Sequence, residues 1–467
     1  QKQEARLHGR ARQEWHRKGI DSAIRFADTF PEHREALAVR TRAAQQLYTL
    51  KQPQAAIVQA QKVVERKDAP AALQLANWTV IAHARFDLGD YQGAEQAYLQ
   101  VLARTGKGDE EHAKFKENLA ASIYKQGEQA RASGDMAAAA RHFLRIATVV
   151  PDSDINVTAQ YDAASAFIVL KQWDRAITIL ERWRKNNPGH PLQAEATRKL
   201  AVLYQQNGQP LRAAGELERI AATEKDPALR REAAWTAATL YREAGRHEQA
   251  IRAYESFVKQ FPRPVEQATE ARYQLVQLYG EIGKPGKQRH WREAIIEADR
   301  SAGRMRTDRT RFLAAHARLA LTEGALAAYR SVALKEPLKA SLARKKKYMK
   351  AAIEGYREAA AYKVAEVTTQ ATYAIGEIYR DFGKALMQSQ RPRNLNEEEL
   401  EQYEILLEEQ AYPFEEKAIE VHEANAARVA GGIYDEWVRK SMRALAELLP
   451  VRYGKEEKGE DFVATLQ

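Results

Sequence analysis

Between Gln160 and Arg289 the apolar and polar positions have a helical texture on both sides of a recurring turn. Each turn position, usually glycine, is followed five residues on by alanine: Lys171 by Ala176, Gly208 by Ala213, and Gly245 by Ala250. Counting Gly283, these turn positions follow one another at 37, 37 and 38 residues. A fixed period in the high thirties with helix on either side predicts stacked helix hairpins. Carried backwards, the register finds Gly134 with Ala139, Gly89 with Ala94, Lys51 with Ala56 and Lys18 with Ala23, with one insertion between Gly89 and Gly134.

Other positions hold the same register. A small residue stands seven before each turn (Ala11, Ala44, Ala82, Gly127, Ala164, Ala201, Ala238), and an aromatic stands four before it at Phe167, Tyr204, Tyr241 and Tyr279. Nine after the turn come Tyr98, Phe143 and Tyr254, and seventeen after it Pro151, Pro188 and Pro262. Small residues let two helices approach closely, and aromatics fill the space between hairpins. Proline ends the second helix because it has no donor. Over roughly residues 1–290 this pattern resembles the tetratricopeptide repeat (TPR), which implies an all-α fold: a right-handed TPR-like superhelical solenoid of helix hairpins. The segment YESFVKQFPRPVEQATEARYQLVQLY, from Tyr254 to Tyr279, resembles the variety found in bacterial envelope proteins. Examples are the lipoprotein subunit of the outer-membrane barrel assembly machine and the periplasmic coordinator of the Tol system. The pattern departs at Gly283, where Gln288 replaces the alanine and Lys284, Pro285 and Gly286 crowd the turn, so an irregular hairpin is expected there.

From Thr307 the chain stays helical in longer, irregular elements. Leu313, Ala317, Ala320 and Leu321 keep one helix face, and a second helix is expected from Leu338 to Tyr362. Gly376, Tyr379 and Gly383 repeat the small, aromatic and turn positions without an alanine-led partner. After a polar connection through Arg391, Pro392, Arg393 and Asn394, Asn396 with Glu399 forms a capping box opening an acidic helix, which Pro413 is expected to break. Gly431 and Gly432 read as close packing or a kink, and a helix around Trp437 ends at Pro450. The expected organisation is a solenoid of about eight hairpins over 1–290, a helical module over 291–454 and a flexible tail over 455–467. LNEEELEQYEILLEEQAYPFEEKAIEVHEANAARVAGGIYDEWVRKSMRALAELLP, from Leu395, resembles the tail of large periplasmic repeat proteins encoded beside energised envelope motors, such as those of gliding machinery.

Composition narrows the functions. The absence of cysteine excludes disulfides, thiolate metal sites and a cysteine nucleophile. No run of eighteen apolar residues is present to span a bilayer. Gln1 is not a start methionine, so a signal peptide, lipid anchor or membrane helix upstream is compatible with the sequence, and with it membrane association. A net charge of +10 over 467 residues argues weakly for an acidic partner and does not by itself point to nucleic acid.

Catalytic constellations are nearly absent: there is no His-Glu-x-x-His and no glycine-rich phosphate loop. His422 beside Glu423 lacks a second histidine at helical spacing and reads as a surface or capping residue. The glutamates from Glu397 to Glu409 lie on a charged helix face, which gives no walled pocket to split their pKa values. No enzyme, cofactor or metal site is therefore expected.

The binding signal is better. In stacked hairpins the first helices line the concave face, and the residue ten before each turn points into it. Those residues are Thr79, Tyr124, Tyr161, Arg198, Trp235 and Tyr273, with Gln205, Gln206, Arg242 and Glu270 beside them. Four aromatics and an arginine suit an interaction groove; the competing reading packs some of them between adjacent first helices, Trp235 foremost. The expected function is a non-enzymatic protein–protein interaction scaffold of an envelope assembly, periplasmic or envelope-associated by resemblance, holding peptide or helical segments of partner proteins. The alternative is a regulator binding nucleic acid or an anionic surface through Arg344, Lys345, Lys346 and Lys347, within the basic run 344–350. A solvated face paired with the acidic helix explains the same run.

Overall fold

The computed structural model describes residues 9–454 apart from residue 394, with side chains from residue 14 onward. The side chain of Ala11, Asn394 and the expected flexible tail from Lys455 to Gln467 lie outside the described residues. Among the described residues all regular structure is helical, and no helix is long and apolar enough to cross a membrane. The chain divides into two compact units between Glu224 and Lys225.

The first unit opens with α1 (Gly9–Thr29) and continues in hairpins. These are α2 (Ala36–Thr49) with α3 (Pro53–Val64), α4 (Ala71–Asp87) with α5 (Tyr91–Leu102), and α6 (Glu110–Ala132) with α7 (Met136–Val149). Then come α8 (Ile155–Val169) with α9 (Trp173–Asn186), and α10 (Gln193–Gln206) with α11 (Pro210–Thr223). The second unit has hairpins α12 (Pro227–Glu243) with α13 (His247–Gln260) and α14 (Val265–Glu281) with α15 (Pro285–Ser301). Longer helices follow: α16 (Asp308–Arg330), α17 (Leu338–Ala360), α18 (Ala365–Met387) and α19 (Glu397–Ala426), then α20 (Glu436–Leu448) and α21 (Pro450–Tyr453). The insertion sits in the connection to α6 and in α6 itself, which has 23 residues.

Every hairpin turns by one device. The residue after the turn position donates its N–H to the carbonyl five residues back, as in Gln172 to Phe167 (2.9 Å), Gln209 to Tyr204 (2.8 Å) and Arg246 to Tyr241 (2.8 Å). That closure requires a left-handed turn residue. Gly89, Gly134, Gly208, Gly245 and Gly283 supply it, but Lys51 (φ 60°) and Lys171 (φ 55°) hold the same conformation with a Cβ. Left-handed backbone costs a non-glycine residue roughly 1–2 kcal/mol. Lys171→Gly is therefore expected to stabilise the first unit by about 1 kcal/mol in denaturant melts, although glycine's greater freedom when unfolded offsets part of the gain.

The small residues do what their register predicts. Ala56, Ala94, Ala139, Ala176, Ala213 and Ala250 are fully buried, and a Cβ on Gly127 would lie 2.5 Å from the Phe143 ring. The aromatics four before the turn reach the preceding hairpin. The Tyr204 hydroxyl bonds to Glu181 on α9, and the Tyr279 hydroxyl donates to Glu255 on α13 (2.8 Å).

Several expectations about the helices need correction. Lys18 is no turn: α1 runs through it, because Ile20, Ala23, Ile24 and Ala27 form one unbroken apolar stripe that packs as a single helix. The hairpin at Gly283 is regular despite Gln288. The Gln288 amide takes the space left by the missing Cβ of Gly280, and its Nε2 donates to the Val276 carbonyl (3.1 Å). Pro413 does not break its helix. α19 is continuous over 30 residues because Ala411, Phe414 and Ala418 hold both halves on one face, while Glu409, whose carbonyl loses its donor, is exposed to solvent. Gly432 neither packs closely nor kinks a helix; with φ 80° it ends the short 3-10 turn after α19. Gly383 lies inside α18 rather than at a turn, while the capping box of Asn396 and Glu399 forms as expected, with bonds of 2.8 and 2.9 Å.

Candidate protein-interaction surface

Within each unit the first helices of neighbouring hairpins touch one another: α2 meets α4 and α6 meets α8, and in the second unit α14 meets α16. First helices that approach this way form the inner layer of a curved stack. Polar staples hold that layer in the first unit. Tyr48 donates to Asp87 (2.9 Å), Tyr124 to Asp162 (2.5 Å), and the Lys199 ammonium to the Ser165 hydroxyl (3.2 Å). Burial and the Asp162 carboxylate together push the Tyr124 phenol far above its ordinary range.

The predicted ladder therefore separates into two kinds of residue. Tyr124 is half-buried with its hydroxyl committed to the next helix, and Tyr161 is 7% exposed. The Tyr161 ring packs 5.2 Å from Trp183, and Lys199 sits 4.3 Å over its other side. This ring is interior: packing between helices claims Tyr161. Thr79 is half-buried and bonds its own helix at Leu75 (2.9 Å).

Arg198, Gln205 and Gln206 are exposed on α10, and Arg198 donates to Glu224 (2.8 Å). Sequence reasoning missed two neighbours: Val169 at the end of α8 is 62% exposed and Val202 on α10 is 57% exposed. Arg198, Val202 and Gln205 share one helix stripe at i, i+4 and i+7, so the spacing that found the arginine could also have found the valine.

In the second unit Trp235 is half-buried, its ring set edge-on to Tyr254 (5.7 Å) and Phe257 (5.4 Å) of α13. Tyr273 is half-buried beneath the Arg309 guanidinium, 5.8 Å away. Glu270 accepts two bonds from that arginine (2.9 and 3.2 Å), while Arg242 lies 3.8 Å from Glu281. A cavity of about 720 Å³ opens where Trp235, α14 and the start of α16 come together. A larger one, about 1020 Å³, lies among α15, α16 and α17. Its arginines are matched by acids, Arg306 with Asp299 at 2.7 Å and Arg318 with Glu358, so it offers no surplus positive charge.

The basic run is not one solvated face. Lys345 is 6% exposed, and its ammonium donates to the carbonyls of Val332 (2.8 Å) and Tyr329 (3.3 Å) at the end of α16. Burial lowers its pKa. It closes a helix C-terminus and is removed from the anionic contact, leaving Arg344, Lys346 and Lys347 exposed. The acidic helix pairs instead with Arg391, through Glu404 (3.4 Å).

His422 is likewise interior rather than on the surface. Its ring fits against Gly376, with Nδ1 3.2 Å from the Ser441 hydroxyl and Nε2 3.3 Å from Glu377. Burial pushes the Glu377 carboxyl up, but His422 and Arg380 outweigh it and hold the pKa below its ordinary value. Asn425 joins the cluster by donating to Ser441 (2.8 Å) and to the Thr369 carbonyl (3.1 Å), which builds a buried polar seam across α18, α19 and α20 in which the Asn425 Oδ1 itself accepts no bond.

A family model described as outer membrane lipoprotein (YfiO) matches residues 116–279, less than half of the chain. No curated protein matches the sequence. Among solved structures, the chain resembles a tetratricopeptide repeat protein from Parabacteroides merdae at 16% identity, covering 62% of this chain and 93% of that one, with a TM-score of 0.24. It resembles the C-terminal part of a TPR repeat-containing protein from Cytophaga hutchinsonii at 14% identity, covering 57% and 97%, with a TM-score of 0.25. PilW, a type IV pilus biogenesis factor, is similar at 15% identity over 49% and 96%, with a TM-score of 0.23. The all-α TPR-like architecture rests on the chain's own turns and buried small residues.

Proposed function

We propose that the protein is a non-enzymatic scaffold that holds segments of partner proteins on the inner face of its first helices. The observation that carries this reading is the exposure of Val169 and Val202 on that face, beside the polar Arg198 and Gln205. Large apolar side chains left in solvent beside hydrogen-bonding groups are the composition of a contact patch. A peptide or helix lying there would bury both valines and use the glutamines and arginine for register. The match of residues 116–279 to an outer membrane lipoprotein family supports a bacterial envelope setting. The resemblance of the C-terminal third to periplasmic repeat proteins beside energised motors extends the proposal to a second docking role. Ile405, Leu406 and Tyr412 stand exposed on α19 for such contacts.

Val169→Asp combined with Val202→Asp tests the reading without touching the core. Partner binding is expected to weaken at least tenfold while the helical circular dichroism and melting midpoint stay near wild type. Unchanged affinity in a folded double variant removes this face from the account. Tyr161→Ala is a poor substitute, because that ring supports the fold.

A further inference from the structure

We infer that the cavity beside Trp235 is a peptide-anchoring subsite, selective for a large apolar side chain with a lysine or arginine within two residues of it. The inference rests on the scaffold reading and names the chemistry of one class of segment it would take. The walls are apolar: Trp235, Pro264, Val265 and Met305 line a space of about 720 Å³. Trp235 is braced edge-on by Tyr254 and Phe257, so its ring is held rigid while part of it stays open to the cavity. Met305 is left 41% exposed, a thioether side chain that adapts to whatever apolar group enters. A rigid aromatic and a pliant methionine around an open space suit a buried side-chain anchor better than a flat contact.

The rim supplies the second half of the specificity. Glu266 and Glu270 line the same cavity with Arg309. Arg309 is spent on Glu270 through two bonds of 2.9 and 3.2 Å, so two carboxylates face one guanidinium and the rim keeps a net negative charge. A flanking lysine or arginine complements that charge, and a flanking glutamate is repelled by it.

The test is selection of a random peptide library displayed on phage against the full chain, repeated on Trp235→Ala and Glu266→Lys. Wild type is expected to enrich sequences in which leucine, phenylalanine or methionine lies within two positions of lysine or arginine. The enriched peptides, synthesised and measured by fluorescence anisotropy, should bind at least tenfold more weakly to Trp235→Ala. Glu266→Lys should turn the flanking preference from basic to acidic, a switch that a folding defect cannot produce. Thermal melts of both variants establish that they are folded. Absence of the motif from the wild-type selection, or a flanking preference unmoved by Glu266→Lys, overturns the inference. If the Val169 and Val202 double variant still abolishes partner binding in that case, the scaffold stands and only this pocket is lost. Binding of the enriched peptides unaffected by Trp235→Ala places their site elsewhere on the chain and equally overturns it.

Discussion

Trp183→Ala is expected to destabilise the first unit by about 3–5 kcal/mol, the range for emptying a large aromatic site in a packed core. Trp183 is fully buried on α9, 5.2 Å from the Tyr161 ring and 4.9 Å from His190. Its indole N–H donates to the Val157 carbonyl on α8 at 2.8 Å, so one side chain joins both helices of the hairpin. Alanine removes the ring contacts and the hydrogen bond together, and Tyr161 loses the surface it lies on. Stacked repeats hold each other mainly through nearest neighbours. The loss should therefore appear first as faster amide exchange in α8 and α9, followed by a lower denaturant midpoint. Trp183→Phe keeps most of the packing and forfeits mainly the hydrogen bond, worth about 1 kcal/mol. A Trp183→Ala chain within about 1 kcal/mol of wild type would contradict the packing described.

Gly376→Ala carries the second large effect, about 1–3 kcal/mol of overpacking in the second unit. The added Cβ would lie 2.6 Å from two atoms of the His422 ring. That ring is fully buried and held between Glu377 and Ser441, so it cannot swing aside without breaking the polar seam that Asn425 joins. Gly383→Ala on the same helix is the matched control. Its Cβ would meet the Ala411 carbonyl at 3.6 Å, an ordinary contact. There the helix-propensity gain of alanine, roughly 0.5–1 kcal/mol, should prevail. Urea melts of the two variants are expected to move in opposite directions. Equal stability of Gly376→Ala and wild type would show that the histidine is free to relax.

The hairpins were legible because their determinants are local. A left-handed turn residue, a small residue seven before it and an alanine five after it each act within one hairpin and leave a mark at fixed spacing. Lys171 was readable in the glycine position because the register, rather than its chemistry, identified it. The failures have non-local causes. Nothing at Lys18 itself reveals that the helix burying Ile20 and Ala27 already runs through it. Gln288 looked disruptive because the missing Cβ that accommodates it belongs to Gly280 on the partner helix. Pro413 looked like a break because the contacts that bridge it come from α18, notably Phe382 against Phe414 at 4.5 Å.

The candidate surface was only half legible for the same reason. Spacing placed Tyr124, Tyr161, Trp235 and Tyr273 on one face, but exposure depends on what each neighbouring helix offers. Trp183 and Lys199 cover Tyr161, while nothing comparable covers Val169 or Val202. Lys345 read as a surface charge because the carbonyls it closes belong to another helix, at Tyr329 and Val332.

Site-specific photocrosslinking in native cells tests the scaffold most directly. A photoreactive phenylalanine analogue is placed in separate chains at the inner-face positions Val202 and Gln205, and at Arg182 and Arg252, which are exposed on second helices. The account predicts defined protein adducts from Val202 and Gln205, lost when Val169 is changed to aspartate, and none of those adducts from Arg182 or Arg252. The same adducts from the second-helix positions, with none from the inner face, would contradict it.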